Sequence, residues 1–222
     1  MITEPSPPIR YICTDVNIFS KRWQTILKLK NMITVFNIGN AWKRSQLEID
    51  SEIPYKILCE HLIPYQKEKL PNNIIFKVAT GKKAYDLIRL FESGEFFFSQ
   101  KIINVLSQFV DMSNKCYPIK IEGVDEQYYV IYNLDAYPYF NKEKAMFEEE
   151  PPFFCGTKIN APIFSVANTN RFVVTEEIKN ALIKNKISNI DFSKDYLCSE
   201  DEYKDWKKYN SNLRVHDSFH NK

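Results

Sequence analysis

Phe96-Phe97-Phe98-Ser99-Gln100-Lys101-Ile102-Ile103-Asn104-Val105-Leu106 opens the stretch that decides the fold class, and the chain to Tyr132 completes it. The three aromatics are too short an apolar run for a helix and read as a strand. Ser99 stands where an N-cap belongs. Behind it Ile102, Ile103, Leu106, Phe109 and Val110 mark one face of a short helix. Tyr117-Pro118-Ile119-Lys120-Ile121 and Tyr128-Tyr129-Val130-Ile131-Tyr132 then read as two strands joined around Gly123-Val124-Asp125-Glu126, a hairpin. A strand, a hydroxyl cap, a helix and a hairpin in that order predict an α+β protein.

Towards the C-terminus the theme returns. Pro162-Ile163-Phe164-Ser165-Val166 and Arg171-Phe172-Val173-Val174 read as strands, and Thr175 as the cap of a helix. That helix opens with Glu176-Glu177, favourable at the positive end of its dipole, and carries Ile178, Ala181 and Leu182. The strand Ile190-Asp191-Phe192 follows. Residues 134–162, rich in Tyr, Phe, Pro and Glu, read as irregular.

Towards the N-terminus, Ile74 to Val78 is a strand ended by Gly81. Ala84, Leu87, Ile88 and Phe91 fall at i, i+3, i+4 and i+7, which predicts an amphipathic helix closed by Ser93-Gly94. Before Pro71-Asn72-Asn73 the signals are mixed. Tyr11-Ile12-Cys13 and Ile33 to Ile38 suggest strands, Phe19 to Lys30 a helix, and Tyr55 to Leu62 either. The expected organisation is a disordered lead over 1–9, an N-terminal part over 10–71, a main domain over 72–196 and a polar tail over 197–222. The expected architecture is α+β: a mixed or antiparallel sheet with short amphipathic helices and the smaller N-terminal part packed against it.

Composition narrows the function classes. The 222 residues are 44% apolar and 26% charged, enough for a sizeable core without disulfides or metal. A net charge of +2 argues against a dedicated nucleic-acid binder or a polybasic membrane protein. The five cysteines are widely spaced and never form C-x-x-C, so neither a zinc ribbon nor a disulfide framework is expected. Met1 to Arg10 has no apolar leader core, and no run approaches the roughly 18 apolar residues of a membrane span. The expected compartment is the cytoplasm.

The search for chemistry returns little. His216 and His220 have helical metal-ligand spacing, but they flank Asp-Ser-Phe without the glutamate of a zinc protease motif. Cys59 and His61 raise a thiol nucleophile only if geometry brings them together. Gly81-Lys82-Lys83 sits where a phosphate loop would, yet Phe76 and Lys83 occupy the positions of its first glycine and its hydroxyl. Asp135, Asp191 and Asp195 lie near predicted strand ends and are the carboxylates an enzyme would use. Turn-capping is the favoured job for each of the three. No catalytic, cofactor-binding or metal-ligating residue is therefore assigned.

Recognition material is richer. The segment from Tyr137 to Phe154 combines anchors (Tyr137, Tyr139, Phe140, Phe153, Phe154) with an acidic rim (Glu148, Glu149, Glu150). Aromatic anchors ringed by charge are the layout of an interface hot spot, and loops are where recognition concentrates. The alternative is that these aromatics close the core.

The order of motifs from Leu70-Pro71 and Ile74-Ile75-Phe76-Lys77, through Phe97-Phe98-Ser99-Gln100-Lys101 and Tyr128-Tyr129-Val130-Ile131-Tyr132-Asn133, resembles a known group. It continues through Ala161-Pro162-Ile163-Phe164 and Val174-Thr175-Glu176-Glu177-Ile178-Lys179 to Ile187-Ser188-Asn189-Ile190-Asp191-Phe192. The group is the immunity proteins of bacterial polymorphic toxin systems, in particular the forty-third family and the related eleventh. Asn189 replaces the glycine common before the last aromatic. The resemblance covers about residues 70–195. It implies a small, cytoplasmic, non-catalytic protein that binds and neutralises a cognate toxin in bacterial competition, with no cofactor, nucleic acid or membrane partner. The competing expectation is a small enzyme of unfamiliar type built on Asp135 or Asp191.

Overall fold

Side chains alternate between the two faces of a strand, and that alternation sorts the described apolar residues into two large cores and a smaller cluster on the far face of one sheet. The computed structural model describes residues 33–71, 73–137, 153–155 and 159–198. Along them run β1 (Ile33–Asn40), β2 (Glu48–Asp50), α1 (Tyr55–Leu62), β3 (Ile75–Thr80), β4 (Leu87–Leu90), β5 (Phe96–Ser99) and α2 (Gln100–Leu106). There follow β6 (Cys116–Ile121), β7 (Tyr128–Ile131), β8 (Ala136–Tyr137), β9 (Phe153–Cys155), β10 (Ile163–Val166), β11 (Phe172–Thr175), α3 (Glu176–Lys184) and β12 (Ile190–Cys198). The α+β class read from the sequence holds.

The strands form two sheets. One is open and mixed, in the order β8-β10-β11-β1-β12-β9, and the other closes into a barrel, β2-β3-β6-β7-β5-β4. Closure depends on two parallel pairings, β2 with β4 and β3 with β6.

The three phenylalanines of β5 show how the sheets share material. Phe97 points into the barrel, where it meets Phe76 edge-on at 5.1 Å. Its neighbours point outwards, and Phe98 meets Phe172 of β11 edge-on at 4.9 Å. The barrel interior is filled by Leu47, Ile49, Phe76, Ile88, Leu90 and Phe97, with Leu58 and Leu62 of α1 joining that cluster. The second core lies between β5 and the open sheet. Ile102, Ile103 and Leu106 of α2, Ile178 and Leu182 of α3, and Phe36 and Ile38 of β1 meet there. Each fully buried side chain of this size contributes about 1.5–3 kcal/mol.

One carboxylate fastens the barrel to the open sheet. Asp86, just before β4, accepts hydrogen bonds at Oδ2 from the Ser188 backbone N–H and hydroxyl, both 2.7 Å. Its Oδ1 accepts from the Ser99 hydroxyl at 3.0 Å, and the Lys101 ammonium stands 3.7 Å away. Ser99 Oγ in turn accepts from the Ile102 N–H at 3.4 Å, the predicted cap of α2. Burial alone would raise the pKa of Asp86, but the hydrogen bonds from Ser188 and Ser99 and the charge of Lys101 together leave it lowered.

Several expectations need correction. The predicted helix over Ala84 to Phe91 is strand β4. Both of its faces are covered: Leu87 belongs to the outer core, Ile88 and Leu90 to the barrel interior. Leu87 and Arg89 lie on one face and Ile88 and Leu90 on the other, so the apolar residues at 84, 87, 88 and 91 satisfy helical spacing by chance. The stretch 134–162 is not wholly irregular, since β8 and β9 lie within it. Strand β12 continues to Cys198, so a polar tail does not begin at 197, and Asp195 lies inside a strand rather than at its end. Thr175 occupies the N-cap position of α3 but makes no side-chain capping bond. It is also the last residue of β11, opposite Val35, and its side chain follows the pleat of the sheet. A boundary at residue 71 does not divide the described chain. β1 lies between β11 and β12, β2 pairs with β3 and β4, and Ile33 opens the contact unit that contains them all. The strand and helix expected before residue 33 lie outside the described residues.

Candidate recognition surface

Two loops that are 40 residues apart in sequence are bonded together at the barrel. The first, 41–46, joins β1 to β2, and the second, 81–85, joins β3 to β4. Ser45 carbonyl accepts from both the Lys82 and Lys83 N–H groups at 3.0 Å, and Leu47 N–H donates to the Lys83 carbonyl at 2.9 Å. Gly81 makes this approach possible. Its φ is +77°, and a Cβ there would stand 1.7 Å from the Gln46 carbonyl oxygen. Ser45 has a φ of +65°, a conformation costing a non-glycine residue about 1–2 kcal/mol and held here by the hydrogen bonds around it.

Further bonds fix the pair from below. Asn189 Nδ2 donates to Gln46 Oε1 at 2.7 Å and to the Leu87 carbonyl at 3.0 Å, while Ala41 N–H donates to the Asn189 carbonyl at 3.3 Å. The buried Tyr128 hydroxyl donates to the Tyr85 carbonyl at 2.6 Å. Asn189 thus ties the open sheet to the loop pair.

The bonded loops present Trp42, 62% exposed, beside the exposed Lys43, Arg44, Lys82 and Lys83. The Lys43 and Lys83 ammonium groups lie over the Tyr85 ring, 5.1 and 4.9 Å from its centroid. Such contacts stabilise by about 0.5–1 kcal/mol at exposed sites. Among the described residues, none of the four cations forms an ion pair. An exposed indole next in sequence to Lys43 and Arg44, on a loop bonded to the one that carries Lys82 and Lys83, has the composition of a protein-binding hot spot. Sequence reasoning read Gly81-Lys82-Lys83 only as a failed phosphate loop and passed over Trp42-Lys43-Arg44. The glycine turns out to serve loop-to-loop packing between two strands, not a strand-to-helix turn.

The residues singled out from sequence are scattered. Tyr137, in β8, is half-buried, packs edge-on against Phe164 at 5.4 Å and covers a cluster with Val35, Val166 and Val173. Burial pushes its hydroxyl pKa up, with the nearby Asp135 charge adding to the effect. Tyr139, Phe140, Glu148, Glu149 and Glu150 lie outside the described residues, as do His216 and His220. Phe153 and Phe154 belong to β9, where their backbone pairs in parallel with Tyr196 and Leu197.

Of the candidate carboxylates, Asp191 and Asp195 accept hydrogen bonds at their side chains, and Asp135 is bonded through its main chain. Asp191 Oδ1 accepts from the following Phe192 N–H at 2.8 Å, and the Asp135 carbonyl accepts from Ser165 N–H at 2.8 Å. Asp195 is 1% exposed and accepts from Asn37 Nδ2 at 2.9 Å. Cys59 points to the buried Glu95, with Sγ to Oε1 at 3.5 Å. Burial foremost, with the Glu95 charge, pushes its thiol up to about 11, against a smaller opposing hydrogen bond from Tyr55. That is the reverse of what a nucleophile needs. Among the described residues, no three His, Cys, Asp or Glu side chains are grouped as metal ligands, and no helix is long and apolar enough to cross a membrane. Neither a protein-family model nor a curated protein matches this chain.

Proposed function

We propose that this protein is a non-catalytic immunity protein of the bacterial cytoplasm that binds and neutralises a cognate toxin domain, using the surface on the paired loops as its docking site. The observation that carries the reading is Trp42, held 62% exposed on loops whose backbones are bonded to each other and to Asn189. An exposed indole on a loop held by backbone hydrogen bonds on either side of it has less ordering entropy to lose on association. The order of motifs from residue 70 to 195 supports the toxin-system context. The quenched Cys59 thiol supports binding over catalysis.

The test is neutralisation. The chain is co-expressed with the toxin domain encoded beside its gene, and both growth and co-purification are scored. Rescue of growth with a stable complex is expected. Rescue without complex formation, or no rescue at all, defeats the proposal. In the complex, Trp42→Ala is expected to lower affinity by about thirtyfold or more, as for a central aromatic hot spot.

A further inference from the structure

Resting on that reading, we infer that the partner meets this surface with an acidic protein face: several carboxylates set around a recess that takes an indole. Four cations stand on two short loops, whereas the whole chain carries only +2. Residues 41–46 and 81–85 hold no carboxylate of their own, so the charge of the two loops is positive. The Lys43 and Lys83 ammonium groups both lie near the Tyr85 centroid, so about 10 Å or less separates them, comparable to the Debye length of about 8 Å in physiological salt. Their fields add at the surface and steer an anionic partner. The loops cannot open to disperse that charge, because Ser45, Lys82, Lys83 and Leu47 are joined through their backbones and Gly81 packs against Gln46.

The alternatives fit less well. A single-stranded nucleic acid needs a row of free rings for successive bases. Here Tyr85 carries the lysine ammonium groups over its ring, which leaves Trp42 alone. An anionic membrane would be held by a single indole and a small basic patch, and stable peripheral anchoring takes a broader apolar face or a lipid chain. A protein hot spot needs one aromatic anchor with a charged rim, which is what the loops supply. The inference constrains the toxin too. A nuclease gripped at its basic substrate cleft would be repelled by Lys43, Arg44, Lys82 and Lys83, so the toxin is held elsewhere or acts on another substrate.

The experiment uses the full chain and three probes: poly-L-glutamate, oligothymidylate, and vesicles of phosphatidylcholine with phosphatidylserine. Poly-L-glutamate is expected to bind best, weakening about tenfold as salt rises from about 50 to about 200 mM. The double variant Lys82→Glu/Lys83→Glu, with unchanged circular dichroism and melting, is expected to lose that binding at least tenfold. Tighter binding of oligothymidylate or of the vesicles would reassign the surface to that partner class, and binding of none would overturn the inference. A second arm separates this inference from the proposed function. If the double variant still protects cells from the neighbouring toxin as well as wild type does, the acidic-face inference falls and the immunity reading stands. If wild type binds poly-L-glutamate but neutralises no neighbouring toxin, the immunity reading falls and the surface assignment stands.

Discussion

Replacing Asp86 by alanine should unlatch the barrel from the open sheet at a single point. The substitution removes two hydrogen bonds from Ser188 and one from Ser99, all to a charged acceptor. Each such bond contributes about 1.5–3 kcal/mol in isolation. They do not add fully, because both Ser188 donors share Oδ2 and water can partly replace a carboxylate whose side chain is 16% exposed. Lys101, half exposed and 3.7 Å away, contributes at most about 1 kcal/mol. A net loss of about 3 kcal/mol follows, more than a hundredfold in the folding equilibrium and roughly 6–12 °C in Tm for a domain of this size. Urea denaturation followed by circular dichroism measures it. The pH dependence supplies the sharper check. The pKa of Asp86 is lowered on folding, so in the acid range the unfolded state binds more protons and stability rises with pH. The gap between wild type and variant should be constant above about pH 5 and close as pH falls through the depressed value, below the ordinary carboxylate range. A gap that persists undiminished near pH 2.5, or one below about 0.5 kcal/mol at neutrality, would refute the assignment of the latch to the ionised carboxylate.

Three further outcomes are expected. Phe98→Ala opens a cavity against Phe172 and should destabilise by about 3–5 kcal/mol in the same denaturation assay. Tyr117→Phe leaves the buried Leu70 N–H, now bonded to the tyrosine hydroxyl at 3.1 Å, without its acceptor, and about 1–3 kcal/mol should be lost. With its thiol pushed up to about 11, Cys59 is about one part in a thousand thiolate at pH 8, so iodoacetamide labelling located by peptide mapping should be far slower than for a free cysteine and should quicken on unfolding.

What could be read from the sequence was what local chemistry dictates. Ser99 with its apolar helix, the hairpin around Gly123, and the acidic first turn of α3 each announce themselves within a dozen residues, and each is present. The misreading of Leu87 to Leu90 has a physical source. With Leu87 in the outer core and Ile88 and Leu90 in the barrel, Arg89 is the single polar residue of the strand, too little to mark a two-residue period. Barrel closure was invisible for another reason. It depends on short pairings such as Ile75 with Lys120 and Glu48 with Arg89, joining residues about 40 positions apart without a turn between them. The candidate surface was hidden in the same way. Trp42-Lys43-Arg44 and Lys82-Lys83 are unremarkable as separate runs, and only the bonds of Ser45 to the second loop make them neighbours. The packing of Tyr137 on Phe164 was likewise not deducible from its own segment.

The place of β1 in the open sheet sets a timetable for synthesis. It is the first described strand to leave the ribosome, yet the partners on both of its edges are β11 and β12, and its Asn37 side chain bonds Asp195 across 158 residues. At about 5–20 residues per second, roughly 8–30 s pass before those partners exist. Throughout that interval Val35, Phe36 and Ile38 have no sheet to enter, and both backbone edges of the strand can pair with another nascent chain. The barrel strands β2 to β7 are complete much earlier and can close around Phe76 and Phe97 first. High contact order is thus concentrated in one sheet, which makes its assembly the slow phase of folding and the point at which chaperones are most needed.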